Sequence, residues 1–504
     1  MILALDVGTT GLKATLFSAT GELIADSRRG YTTQRSEIGA AEQDPRAWWR
    51  AACGAVRALS STVADMPSRV EAVALAGMMN GCALVDGRGR PVHHALIHAD
   101  TRSSQILEDL QSAIEPGQAY RLTGCHLAPY FTLAKLAWLR RTLPDVMTRA
   151  RWCIQSKDYV VGRLTGVWGV TDPSDASLTG LYDVVAGRWH AGLLSAAGIE
   201  PRLMPDIHPS CEVIGHVTTP ASRAMGLREG TPVVLGGGDG ACATAGAGAC
   251  RPGDAYHYLG GTSWIAVVTD RYEPDPHART SHLVGLSPTQ HVNYGTVQSA
   301  GTSIEWFLSE IGLGSRVPAR RRLAALQPLA ASSPPGARGL IFVPYLDGER
   351  APLWDADARA ALIGLTGKHT RADMARAVME GVAFALGHVL GAFEDRGLAP
   401  EVVRVLGGGV RSRLWRSIFS AVYRRPLHVM SRAEFSTACG AAMAAACAIG
   451  ICPTFEEAAS RFVSVADIEY PDPSMAAVYD RLQAVYRDLY PALKPLYARL
   501  ASGE

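Results

Sequence analysis

Gly236-Gly237-Gly238-Asp239-Gly240 places one carboxylate among glycines near the middle of the 504-residue chain. Upstream, Thr231-Pro232-Val233-Val234-Leu235 reads as a short buried strand, because β-branched and aliphatic residues follow a turn-forming proline. Downstream, residues 241–249 are small and apolar, suited to a tightly packed helix or turn. The carboxylate therefore stands at a strand end, and the glycines leave room for a substrate or the opposite wall of a cleft to come close. The stretch also reads as a glycine turn whose aspartate caps the next helix. A second carboxylate, Asp6, closes an apolar run and precedes Gly8-Thr9-Thr10-Gly11, with Lys13 just beyond. A tight turn of this kind aims backbone N–H groups and two hydroxyls at one point, which suits phosphate. Asp6 beside it can hold Mg²⁺, directly or through water, since a hard cation wants carboxylate oxygens. An ordinary hairpin with a polar tip satisfies the same pattern.

The elements that must position these groups follow from periodicity. Residues 2–17 read as strand, turn, strand, and Leu23-Ile24-Ala25 as a third strand. Glu42-Gln43-Asp44-Pro45 opens an amphipathic helix carrying Trp48 and Trp49, with proline at its first position after an aspartate cap. A strand over 70–76 ends at Gly77-Met78-Met79-Asn80, and one over 95–97 ends at His98-Ala99-Asp100. Strand ends are where ligands gather on α/β sheets. Pro129-Tyr130-Phe131 leads into a helix through Lys135 and Trp138. Ser156-Lys157-Asp158-Tyr159 carries no chemistry alone, and Thr171-Asp172-Pro173-Ser174-Asp175-Ala176 is a capped turn that adds wall to the cleft. Past the midpoint the opening grammar repeats: strand 255–259, turn Gly260-Gly261-Thr262-Ser263, returning strand 264–268. A long helix starts at Arg371, and strand 402–406 stops at Gly407-Gly408-Gly409, where a nucleotide can lie against the backbone. The repeat predicts two domains of related design facing a shared cleft.

Composition narrows the class. A formal charge of +2 with no basic block argues against nucleic acid as a partner. The ten cysteines form no C-x-x-C pair and no zinc spacing, which suits reduced thiols in a cytosolic protein. The N-terminus lacks the basic region of a signal peptide, and the Ala-rich stretch 438–452 is too short to span a bilayer, so no membrane partner is expected. Gly364-Leu365-Thr366-Gly367-Lys368 has the wrong spacing for a Walker loop, and no dinucleotide fingerprint is present.

With these pieces in order, the chain resembles the FGGY carbohydrate kinases, most in pattern the xylulokinases among them. The resemblance runs from Ile2 to about Ile449, carried by Asp6-Val7-Gly8-Thr9-Thr10-Gly11, Glu42-Gln43-Asp44-Pro45, Gly236-Gly237-Gly238-Asp239, Phe342-Val343-Pro344-Tyr345, Gly348-Glu349-Arg350, Glu380-Gly381-Val382-Ala383 and Gly407-Gly408-Gly409. It implies an α/β fold of two actin-like (ribonuclease-H-like) domains around a central cleft. Residues 1–245 are expected to bind sugar and carry the catalytic base, residues 246–504 to bind nucleotide.

The resemblance further implies that ATP, with Mg²⁺, phosphorylates a small sugar. Asp239 matches the general base, and an ordinary ionised carboxylate serves there. Asp6 and Asp239 match the carboxylates near the metal. Thr9, Thr10, Lys13, Gly261 and Thr262 match the phosphate loops, while Gly301, Gly408 and Ser412 fall where the family holds adenosine. Met79, Asn80, Asp100, Tyr130 and Asp239 match the sugar side. Xylulokinases usually carry Met-His at 79–80, Asp-Asn at 239–240 and Trp at 98; this chain has Asn80, Gly240 and His98. All three departures lie in the sugar pocket. D-xylulose leads as substrate, with ribulose, erythritol, glycerol, gluconate or an autoinducer-type sugar as alternatives. A cytoplasmic enzyme is expected, with a homodimer as the one assembly in view. The reading from another class is a nucleotide-binding regulator on the same fold, without sugar transfer. The helices after about residue 467, with Tyr479, Tyr486 and Tyr490, are expected to pack on their own domain.

Overall fold

The computed structural model describes residues 1–312 and 319–502. Its N-terminal half is built on strands β1 (Ile2–Val7), β2 (Gly11–Phe17), β3 (Leu23–Gly30), β4 (Ala72–Gly77), β5 (Val213–His216) and β6 (Pro232–Gly238). They form one sheet in the order β5-β6-β4-β1-β2-β3. β1, β2 and β3 run antiparallel to one another, whereas β4 and β6 run parallel to β1. The parallel strands are buried on both faces and read accordingly as unbroken apolar runs, Ile2-Leu3-Ala4-Leu5 and Ala72-Val73-Ala74-Leu75.

The C-terminal half repeats this plan. Its strands are β7 (Ala255–Leu259), β8 (Ser263–Thr269), β9 (Ser281–Val284), β10 (His291–Val297), β11 (Val403–Leu406), β12 (Leu427–Met430) and β13 (Val465–Glu469), in the order β9-β10-β8-β7-β11-β12-β13. Again three antiparallel strands (β7, β8, β10) are followed by two parallel ones (β11, β12). The short hairpin echo in the sequence is thus part of a full topological repeat. In each half the carboxyl ends of the parallel strands, where ligands bind in α/β sheets, point to one edge.

Helices fix these edges. Asp44 caps α1 (Pro45–Ser60) and accepts from Arg46 N at 3.0 Å, and Trp48 and Trp49 are buried beside the sheet. Two further helices, α2 (Ser156–Thr165) and the short α3 (Pro173–Ser177), lie against the first sheet near β6. α4 (Asp239–Gly246) leaves the end of β6, and the long α5 (Arg371–Glu394) is the core helix of the second half. Among the described residues α5 is also the one helix long and apolar enough to cross a membrane, and it is mostly buried inside the protein. α6 (Arg413–Tyr423) follows β11, and α7 (Ser436–Ala448) crosses to the N-terminal half, packing on α4, β1 and β4. The crossing is close because both helices present glycine: a Cβ on Gly440 would stand 1.9 Å from Cys242 O, and one on Gly246 1.9 Å from Ser436 O. α8 (Pro473–Ser502) docks on its own half: Tyr479 donates to Glu380 at 2.8 Å, and the Tyr486 and Tyr345 hydroxyls meet at 2.9 Å.

Candidate active site

Three neighbouring parallel strands, β1, β4 and β6, deliver Asp6, Met79-Asn80 and Asp239 to one edge of the first sheet. The glycines before Asp239 do something other than make room for a substrate. Gly236 has φ 67° at a register shift between β6 and β4, and a Cβ there would lie 1.7 Å from Leu75 O. A Cβ on Gly238 would stand 2.5 Å from Met79 Sδ. The space is therefore filled by the chain itself, which wedges the Met79 turn against the strand end. Nor does Asp239 cap a helix: it is the first residue of α4, whose cap position, Gly238, has no side chain to bond.

Both carboxylates are half-buried. Burial, reinforced by the charge of Asp6, pushes Asp239 up to about 7. Burial pushes Asp6 to about 6, against the opposing pull of Lys13 and Arg28. Asp239 is thus poised near neutrality rather than being an ordinary ionised carboxylate. Two neighbouring carboxylates, the first of which raises the proton affinity of the second and neither of which is in an ion pair among the described residues, suit a shared divalent cation. No group of three metal-ligating side chains exists among the described residues, so Mg²⁺ would take its other ligands from phosphate and water, its usual habit.

The β1–β2 turn is held from behind. Gln43 is fully buried; its Nε2 donates to Thr9 O and to Thr33 Oγ1, both at 2.8 Å, and its Oε1 accepts from Trp48 Nε1 at 2.8 Å. The Tyr31 hydroxyl donates to Gly8 O. The Thr9 and Thr10 hydroxyls make no hydrogen bond among the described residues, and Thr10 is exposed. Lys13 reaches across the halves: its Nζ donates to Glu434 O at 2.6 Å and lies 5.2 Å from the centre of the Phe435 ring.

The matching turn of the second half, Gly260-Gly261-Thr262, is clamped to the start of a helix. Gly301 N donates to Gly260 O and Ala300 N to Gly261 O, each at 2.9 Å, and Thr262 Oγ1 donates to Gln298 O at 3.2 Å. A Cβ on Gly301 would sit 2.5 Å from Gly260 O, which explains the glycine by packing. Gly408, beyond the end of β11, faces open space. Ser412 is buried, and its Oγ accepts from Trp415 N at 3.2 Å as the cap of α6.

Among the residues expected to face the sugar, Asn80 adopts φ 61°, and its Oδ1 is buried without a partner. Lys135 is fully buried; its Nζ donates to Asn80 O at 2.9 Å and to Tyr130 O. Burial pushes its ammonium down to about 7. Arg350, from the C-terminal half, places its guanidinium 4.9 Å from the centre of the Tyr130 ring. Beside it, Glu349 Oε1 accepts from Gln298 N at 2.8 Å while Oε2 is buried and unpartnered, and burial pushes this carboxyl up to about 8. His98 is pushed down to about 4, first by burial and then by Lys135, Arg350 and Arg35, so it is neutral at physiological pH. Asp100 is engaged elsewhere: fully buried, it accepts from Ala41 N at 2.8 Å and pairs with Arg102 at 2.7 Å. The structure thus groups Asp6, Asp239, Met79, Asn80 and Tyr130, whereas the side chains of Asp100 and Ser412 are committed to the fold. The sequence gives no sign that Lys135 and Arg350 meet around Tyr130; a lysine on an otherwise apolar helix face was the one available signal.

The amino-terminal model of the FGGY family of carbohydrate kinases matches residues 1–246, and the carboxyl-terminal model of the same family matches residues 256–449. The chain belongs to the FGGY family of carbohydrate kinases. It is 30% identical to the xylulose kinase of Escherichia coli K12 over 498 residues, covering 99% of this chain and 100% of that one. It is 28% identical to the gluconokinase of Bacillus subtilis, covering 99% of this chain and 97% of that protein. The crystal structure of xylulose kinase from Rhodospirillum rubrum superposes with a TM-score of 0.91 at 31% identity, covering 99% of each chain. The actin-like two-domain fold expected from the sequence is therefore borne out, as is a sugar phosphotransferase with ATP as donor.

Proposed function

We propose that this FGGY kinase transfers the γ-phosphoryl group of ATP to D-xylulose, giving D-xylulose 5-phosphate, with Asp239 as general base. The observation that carries the reading is the convergence of Asp239, Asp6 and Met79-Asn80 at adjacent strand ends, facing a second half whose glycine turns offer a nucleotide site. In the transfer, Asp239 accepts the proton of the attacking hydroxyl, the hydroxyl oxygen bonds to the γ-phosphorus, and ADP leaves with the electron pair of the broken P–O bond. A positioned base of this kind contributes about 10²–10⁴-fold. The remainder of the acceleration must come from alignment and charge stabilisation. Mg²⁺ held by Asp6 and Asp239 would screen the phosphate charge. The turn residues Thr9, Thr10, Gly261 and Thr262 would grip phosphates with N–H groups and hydroxyls, and Gly408 lets adenosine approach the backbone. Residues 1–245 would then be the sugar half and 246–504 the nucleotide half of a cytoplasmic enzyme.

Asn80, Gly240 and His98 direct attention to other acceptors. The unpartnered Asn80 Oδ1 offers an acceptor to a substrate hydroxyl, where a neutral histidine would offer a differently placed group. A hydrogen-bonding group of this kind separates substrates by orders of magnitude. A sugar acid, as in the gluconokinase relatives, or another ketose or polyol is the second reading. The test is ADP release, with ATP and Mg²⁺, across pentuloses, pentitols, tetritols, hexuloses and aldonates. D-xylulose as the best acceptor supports the proposal. A better acceptor elsewhere reassigns the substrate and predicts that Asn80→His shifts preference back toward D-xylulose. No ADP above the sugar-free background removes the kinase reading.

A further inference from the structure

Two stretches to which the sequence assigns no chemistry, around Lys157 and around Asp172, meet directly behind the strand end that carries Asp239. Lys157 Nζ lies 2.9 Å from Asp172 Oδ1, 2.6 Å from Asp158 Oδ1 and 3.3 Å from Asp175 Oδ2, and all four side chains are buried. Asp172 Oδ2 in turn accepts from Ser174 Oγ at 2.5 Å and from Ser210 Oγ at 2.9 Å. Both serines hold the glycine run. Ser174 Oγ accepts from Gly238 N at 2.9 Å, and Ser210 O accepts from Gly236 N at 2.9 Å. One carboxylate oxygen therefore organises two clasps, one on each side of Gly237.

The glycine run needs them. Three consecutive residues without side chains have no packing of their own to fix φ and ψ, and glycine samples more backbone conformations than any other residue. What locates Asp239 must come from outside, through backbone hydrogen bonds. The same segment also serves the neighbouring strand end: Gln155 Oε1 accepts from Gly81 N at 2.9 Å, and Ser156 Oγ donates to Met78 O at 3.2 Å. Burying an ammonium with three carboxylates costs several kcal/mol per ion, and well-packed apolar residues generally do at least as well for stability. A network this costly, placed behind two functional strand ends, calls for a reason other than stability.

We propose that Asp172 and Ser174, anchored by Lys157, are positioning residues that act through Gly238 to hold Asp239 at the correct place beside Met79-Asn80. The inference rests on Asp239 as the base. Ser174 is the group to change, because removing a hydroxyl leaves the buried ion cluster intact. The experiment compares Ser174→Ala, Ser174→Thr, Ser210→Ala and Asp239→Ala in the full chain, using the best acceptor from the sugar panel. Ser174→Ala is expected to lower kcat by roughly 10–100-fold, the scale of a displaced catalytic group, with KM for sugar and Kd for ATP within about threefold. Ser174→Thr, which keeps the hydroxyl, is expected to recover most of kcat, and Ser210→Ala to lose roughly three- to tenfold in kcat with the same unchanged KM. A kcat within about twofold of wild type in Ser174→Ala overturns the proposal, as does equal loss of kcat and affinity from general loosening. If Ser174→Ala does not fold, Ser210→Ala decides by the same kcat-against-KM split. Retained turnover in Asp239→Ala removes the base assignment itself, an outcome separable from wild-type behaviour of the serine variants.

Discussion

Asp239 is held at a cost that pH should reveal. Its pKa stands at about 7 in the folded chain against an ordinary 3.8, through burial and the neighbouring Asp6. A carboxyl whose folded value is raised favours folding fully below its unfolded value, and that contribution is lost as pH rises through the folded value. In metal-free protein the ionised Asp239 carboxylate therefore destabilises the fold progressively from about pH 4 to about pH 7. Asp239→Asn removes the penalty. At pH 8 the variant should be more stable than wild type by up to about 4 kcal/mol, and at pH 5 by much less, while kcat falls roughly 10²-fold or more. Calorimetry without Mg²⁺ at the two pH values checks the first part. An equal gain at both pH values would mean that Asp239 carries no raised proton affinity.

At the scale of elements, the glycines divide into two kinds that the sequence does not distinguish. Gly236 is demanded by its φ of 67° and by Leu75 O, whereas Gly408 has no atom within 4 Å of a Cβ. Gly236→Ala should therefore cost about 3 kcal/mol or more, from left-handed strain plus a backbone clash, and show as poor folding or a large fall in Tm. Gly408→Ala should leave Tm nearly unchanged yet weaken ATP binding, if adenosine lies against that turn; equal ATP affinity in wild type and variant would sink the assignment. This pair shows what was legible in the sequence. Strand ends, caps and the repeated hairpin follow from local pattern, and strands β1, β4, β6, β7 and β11 lie where periodicity puts them. What could not be read is set by contacts between residues far apart in sequence. Gly236 to Gly238 look like space for a ligand, but β4, Ser174 and Met79 occupy it. Asp100 looks like a free strand-end carboxylate until Arg102 and Ala41 N are seen to consume it. Lys157 sits in a helix whose pattern gives no warning that an ammonium is buried.

Across the whole molecule, the two halves meet on both sides of the cleft floor. Below it, α4 and α7 cross on glycine faces, a contact too tight to slide. Beside the β1–β2 turn, Lys13 bonds Glu434 O and Arg432 donates to Gly21 O at 2.8 Å. On the side of Asn80, Arg350 of one half lies over the Tyr130 ring of the other, while nearby the Tyr120 hydroxyl donates to Thr280 O at 2.6 Å and His282 N to Gly124 O at 3.1 Å across the halves. A guanidinium on an aromatic face has no fixed hydrogen-bond geometry, so this contact can loosen without breaking a hydrogen bond. Cleft closure in kinases excludes water and completes the site, so a contact made at the mouth should favour the closed, sugar-bound form. Such cation–π contacts are worth about 0.5–2 kcal/mol, which corresponds to roughly 2–30-fold in an equilibrium. Arg350→Met should accordingly raise KM for the sugar within that range while KM for ATP stays within about twofold, and Arg350→Lys should fall between, because an ammonium stacks less well on the ring. Sugar KM unchanged in Arg350→Met would show that the mouth closes without this contact. A parallel rise in KM for ATP would place Arg350 in the general coupling of the two halves rather than at the sugar mouth.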